Sequence, residues 1–132
     1  MMMLDLYKLV TTKLKEVTEI SNQKQYFNIN VDKANLPMAI YKLPNGFEPF
    51  RYRQDILLEM DIWGKSDAQS IIDLEGIVGK IDSKLNELKY MDENIQVSIY
   101  RATPYYNQID DPDEELSRRK LSYIMQTYFL GV

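Results

Sequence analysis

The sequence predicts an α+β fold: a two-layer sandwich of two helices packed on one face of a mainly antiparallel four-stranded sheet, in the order α-β-β-α-β-β. Three observations carry this. Ile56, Leu58, Met60 and Ile62 alternate with Leu57, Glu59, Asp61 and Trp63, the period of a strand. Gly64-Lys65 leads that strand into a stretch where Ile71, Leu74, Val78, Ile81, Leu85 and Leu88 recur at 3, 4, 3, 4 and 3 residues, the stripe of an amphipathic helix. A second helical pattern opens the chain, and two alternating stretches close it. The Asp55 to Leu88 unit bears no catalytic motif and points to a protein that packs and assembles.

Each element has its own reason. Met3, Tyr7, Val10, Leu14 and Val17 are spaced 4, 3, 4 and 3 apart, which predicts one apolar face on a helix from Met3 to Glu19. The polar run Ser21 to Gln25 should end it. Tyr26 to Leu36 is ambiguous, with Tyr26 to Val31 a candidate short strand. Pro37 leads a strand Met38 to Leu43, with Met38 and Ile40 on one face and Ala39, Tyr41 and Leu43 on the other. Both faces are partly apolar, as in a strand covered on two sides. Pro44-Asn45-Gly46 reads as a turn because Asn and Gly tolerate positive φ. In Phe47 to Arg53, Pro49 offers no N–H to a ladder, so this segment should be an edge, a bulge or an extended arm.

Ser66-Asp67-Ala68-Gln69 fits a capping box, with Asp67 adding negative charge at the positive end of the helix. Gly76 and Gly79 fall mid-helix, where each costs about 1 kcal/mol against Ala. Close approach of another backbone is the expected reason for them. Asp92-Glu93-Asn94 is a turn, and Ile95, Val97 and Ile99 alternate with Gln96, Ser98 and Tyr100 as a strand. Arg101 to Ser117, with Pro104, Pro112 and an acidic run, should be a long loop. Arg118 to Phe129 should pair antiparallel with the strand at Ile95. The sheet face away from the helices would keep Tyr41, Leu57, Trp63, Ile124 and Tyr128, more apolar surface than a lone domain comfortably exposes.

The 132 residues suit one domain able to bury a core without staples. A formal charge of −4 argues against a general nucleic-acid binder. The chain has no Cys and no His, which removes Cys/His zinc sites, Ser-His-Asp and Cys-His nucleophiles, disulfides and thiol redox. Met1 to Lys8 meets an acid at Asp5 and has no basic lead-in, so it does not read as a signal peptide. No apolar run approaches the roughly 20 residues that span a bilayer.

Chemistry that needs only carboxylates remains. Glu59 and Asp61 neighbour each other on one strand face, but a salt-bridged face against Arg118 to Lys120 is the expected arrangement rather than acid/base catalysis. Asp110, Asp111, Asp113, Glu114 and Glu115 could gather a divalent ion, yet the run lacks the Gly and the terminal Glu spacing of an EF-hand. A solvated loop, or contact with basic groups of a neighbouring subunit, is expected instead. Phe50-Arg51-Tyr52-Arg53 mixes aromatics with guanidinium groups as single-strand grooves do, but it is short and unrepeated. With Phe47 it reads as a protein-interface arm or an ordinary hairpin. Arg101, Tyr105 and Tyr106, near Tyr100, are the residue types interfaces favour, and a hairpin packing on itself is the equal alternative. No catalytic, cofactor or metal residue is expected.

The N-terminal helix, the Pro37-led strand, the strand ending Leu58-Glu-Met-Asp-Ile-Trp63, the helix starting at Ser66 and the closing hairpin together resemble the tail terminator and tail-completion proteins of tailed phages and phage-derived contractile particles. The resemblance covers nearly the whole chain, and Asp61-Ile-Trp63 before the helix is its strongest local element. The acidic loop and Phe47 to Arg53 are not marks of that family. The resemblance implies a six-fold ring in the tail or neck of a particle assembled in the bacterial host cytoplasm. It implies a tail tube protein and a neck or head connector as partners, contact with a sheath in contractile particles, and DNA passing through without specific binding. The alternatives are a head–tail joining protein of the same particle, a free-standing cytosolic protein-binding module and, least supported, a carboxylate-only enzyme.

Overall fold

The sheet is built around one long strand. In the computed structural model, which describes residues 2–27, 31 and 33–130, the elements run α1 (Met2–Lys15), β1 (Met38–Lys42), β2 (Gly46–Phe50), β3 (Arg53–Lys65), α2 (Ala68–Leu85), β4 (Lys89–Met91), β5 (Ile95–Ile109) and β6 (Leu116–Phe129). Single 3₁₀ turns stand at Thr18–Ile20 and Lys33–Asn35. All pairings are antiparallel, in the order β1-β3-β6-β5-β4, and β2 shares with β1 the outer edge of β3. The six strands curl into a half-barrel.

This corrects the expected four-stranded sheet and its α-β-β-α-β-β order. The two additional strands, β2 and β4, are short and exposed at every residue, so neither shows the alternating burial a period of two detects. The long loop expected over Arg101 to Ser117 is also corrected. β5 continues to Ile109, and the ladder with β6 skips between Arg101 and Tyr106. Pro104, which has no N–H to donate, sits in that irregularity and reads as a chain breaker when it marks a bulge. The turn proper is 110–115. The expected antiparallel pairing of the last two strands is present, with Ile95 opposite Phe129.

One apolar core joins α1 and α2 to the sheet. It takes Leu6, Leu9, Val10 and Leu14 from α1, and Leu74, Ile77, Val78, Ile81 and Leu85 from α2. From the strands it takes Ile56, Leu58, Met60, Ile62, Ile95, Val97, Ile99, Leu121, Tyr123 and Met125. The α1 stripe is rotated from the expected one: Leu6 and Leu9 are buried, while Met3 and Tyr7 only flank the core. The helix stops at Lys15 rather than Glu19. The N-cap of α2 is Asp67, not Ser66: its carboxylate accepts from the Ser70 N–H at 3.0 Å. That bond holds the Asp67 carboxyl below its ordinary range. Glu87, at φ 63°, turns the chain out of the helix before Leu88. The expected strand at Tyr26 to Val31 rests partly on residues 28–30, outside those described; Tyr26 itself is a buried core residue.

Tyr41 lies on the helix side of the sheet, not on the open face as expected. It is buried, its hydroxyl donates to the Tyr7 carbonyl at 2.8 Å, and burial pushes that hydroxyl up to about 12. A strand with apolar residues on both faces does not reveal which face meets the helices. The outer edge of β1 is occupied from within the chain: the Gln23 amide accepts from the Ala39 N–H at 3.0 Å and donates to the Ala39 carbonyl at 2.6 Å, and the Tyr41 N–H donates to the Tyr26 carbonyl.

Among the described residues nothing outside the helix's own backbone approaches Gly76 or Gly79: a Cβ at either would meet no such atom within 4 Å. Gly76→Ala and Gly79→Ala are therefore expected to stabilise the protein by about 0.5–1 kcal/mol each, read as a higher urea midpoint at unchanged slope. A loss of stability in either variant would show that the helix needs its glycines.

Candidate assembly interface

The segment Phe47 to Arg53 is a projecting hairpin. β2 pairs with β3 only at Gly46–Ile56, Phe47–Asp55 and Phe50–Arg53, with an irregularity around Pro49. That agrees with the edge-or-bulge expectation. Gly46 opens the hairpin where a Cβ would come within 3.0 Å of Ile56 Cδ1. Phe47, Phe50 and Tyr52 are 59%, 63% and 72% exposed. The Arg53 guanidinium lies 4.7 Å from the Phe50 ring centre, and its Nε is paired with Asp55 Oδ1 at 3.0 Å. Arg51 lies 5.1 Å from the Tyr52 ring centre and has no carboxylate partner among the described residues.

Arg101, Tyr105 and Tyr106 are drawn onto α2 of their own chain. Arg101 pairs with Asp82 and covers the Tyr105 ring at 4.1 Å. The buried Tyr123 hydroxyl donates to Asp82 Oδ1 at 2.7 Å. Two turns nearer the start of α2, Glu75 Oε1 accepts from the Tyr106 hydroxyl at 2.7 Å and from Arg119 Nε at 2.5 Å. Much of the polar capacity of these residues therefore goes to holding the bulged hairpin on the helix. Tyr100 parts from this cluster: it pairs with Ile124 and faces the other side of the sheet.

The acidic turn is also largely engaged. Asp111 Oδ2 accepts from Trp63 Nε1 at 3.1 Å, and its Oδ1 accepts from the Asp113 N–H at 2.9 Å. Asp113 and Glu115 hold the Lys33 ammonium at 2.6 and 2.8 Å. Lys33 keeps the Asp113 carboxyl below the usual range, and the two acids raise Lys33 in turn. Asp110 and Glu114 are exposed and have no partner among the described residues. Among those residues no group of acids is placed to hold a metal ion. Beside the turn lies a cavity of about 490 Å³ walled by Lys33, Ala34, Leu36, Lys65 and Leu116.

The open sheet face divides in two. Near the acidic turn it is a charge ladder: Arg118 pairs with Asp61 at 3.0 Å, and Lys120 pairs with Glu59, as expected for those two carboxylates. Trp63 is on this face but nearly buried under Arg118, whose guanidinium lies 5.1 Å from its ring centre. Near the hairpin the face is mixed, with a polar row Asp55–Gln126–Ser98–Lys89 between two rows that carry apolar side chains. Leu57 pairs with Ile124 and Ile124 with Tyr100; Tyr128 pairs with Gln96 and Gln96 with Met91. Met91, 67% exposed, is the member sequence reasoning missed. It follows a helical stripe and precedes a turn, so no periodicity marks it.

The hairpin and the acidic turn stand at opposite ends of the β3–β6 ladder, whose twelve pairs run from Gln54–Thr127 to Lys65–Leu116. At roughly 3.3 Å per residue the two ends are on the order of 35–40 Å apart. The chain matches no protein-family model, and no curated protein matches it.

Proposed function

We propose that this chain is a structural subunit that assembles with copies of itself into a ring and caps the end of a tail tube, the role of a tail terminator in a tailed phage or a phage-derived contractile particle. The observation that carries this reading is the gathering of exposed apolar side chains at one end of the molecule: Phe47, Phe50 and Tyr52 on the hairpin, with Met91 and Tyr128 on the adjoining sheet face. Surface of that kind is what an interface buries. A ring needs two different patches on each subunit, and a hairpin and a charged turn at opposite ends of one ladder supply them. The work done is steric: the ring stops tube growth and presents a surface to the neck or head connector, and to a sheath where there is one. An acidic subunit suits a channel that DNA crosses without sticking.

Native mass spectrometry tests this directly. A closed ring, six-fold on this reading, is expected either alone or when tail tubes are added. Particles lacking the chain should carry overlong or headless tubes in electron micrographs. A monomer or dimer indifferent to tubes would refute the proposal.

A further inference from the structure

We infer that the contact closing the ring is made by Arg51 and Tyr52 of one copy, docking into the cavity beside the acidic turn of the next. This rests on the ring reading above and names its partner surface. Arg51 carries a charge without a carboxylate partner among the described residues, and it sits between two of the most exposed aromatics, Phe50 and Tyr52. Asp110 and Glu114 are carboxylates left without a cation among the described residues. Lys33, which could have served them, is already held by Asp113 and Glu115. Five carboxylates between Asp110 and Glu115, set against Lys33 and Lys65, leave this end of the molecule net acidic.

The cavity offers the aromatic the apolar walls of Ala34, Leu36 and Leu116, the carboxylates of Asp67 and Glu115 stand there beside Lys33 and Lys65, and its volume of about 490 Å³ admits a tyrosine ring. At the β1–β2 edge of the sheet, strand addition is the weaker way to join copies. Pro49 removes a donor from β2, and the outer edge of β1 is already satisfied by Gln23 and Tyr26. Docking by side chains at opposite ends of the ladder is heterologous, the class of contact that closes into rings. A hairpin cannot reach the acidic turn of its own chain across that length.

A charge exchange tests the contact and leaves the docking tyrosine in place. Arg51→Glu and the double change Asp110→Lys with Glu114→Lys should each raise the concentration for half-assembly by at least about tenfold, and combining all three should bring it back to within about threefold. If the changes leave assembly untouched, or the combination fails to recover it, the contact is wrong while the ring stands. If the unaltered protein forms no ring on its own or on tubes, the ring reading falls with it.

Discussion

Asp82→Ala is expected to destabilise the protein by about 2–4 kcal/mol, well beyond the loss of a surface ion pair. Asp82 accepts from the Tyr123 hydroxyl at 2.7 Å and pairs with Arg101. Tyr123 is fully buried on the helix-facing side of β6, so removing the carboxylate takes away the acceptor of its O–H. Arg101, more exposed, adds less. Tyr123→Phe in the Asp82→Ala background should therefore recover part of the loss, because the orphaned hydroxyl is gone. Urea unfolding of the two single variants and the double variant measures the coupling; simple additivity would remove Asp82 from this role.

The same site predicts a pH dependence. Partial burial pushes the Asp82 carboxyl up, but the Arg101 guanidinium and the Tyr123 hydroxyl outweigh it and the net shift is downward from 3.8. A carboxyl lowered by folding adds stability that is present above its ordinary value and lost as pH falls through the lower folded value. The gap between the unaltered protein and Asp82→Ala should be widest at neutral pH and narrow between about pH 5 and pH 2. A gap that widens on acidification would contradict the assigned pairing.

Leu58→Ala is expected to cost about 2–5 kcal/mol, whereas Leu57→Ala, one residue away, should cost less than about 1. β3 has neighbours on both sides, and Leu58 stands opposite Tyr123 inside the core with no exposure. Leu57 stands opposite Ile124 on the open face. Because side chains alternate, this adjacent pair tests which face of the sheet meets the helices. Denaturation midpoints in the reverse order would put the core on the wrong side.

The β3–α2 unit and the β5–β6 pair were legible because their burial repeats with the period of their own backbone. Ile56, Leu58, Met60 and Ile62, and likewise Leu121, Tyr123 and Met125, are buried as alternation predicts. β2 and β4 were not legible as strands, since neither buries a face. Pro104 misled in the other direction, marking a bulge inside a strand that continues to Ile109. Among the interface candidates, Phe47, Phe50, Arg51 and Tyr52 are exposed as a docking arm must be, while Arg53 is tied to Asp55, and Arg101 and Tyr106 to α2.

The sequence by itself determined the excluded chemistry, through the absence of Cys and His, and it determined which residues of β3 and β6 enter the core. Both are properties of composition or of a repeat a few residues long. Tertiary structure alone decided that Tyr41 faces inward, that Tyr100 and Arg101 part to opposite sides of the sheet, and which charges remain without a partner. Those outcomes depend on register between distant strands. Arg101 meets Asp82 across 19 residues and Lys33 meets Glu115 across 82, distances at which no local pattern can choose a partner.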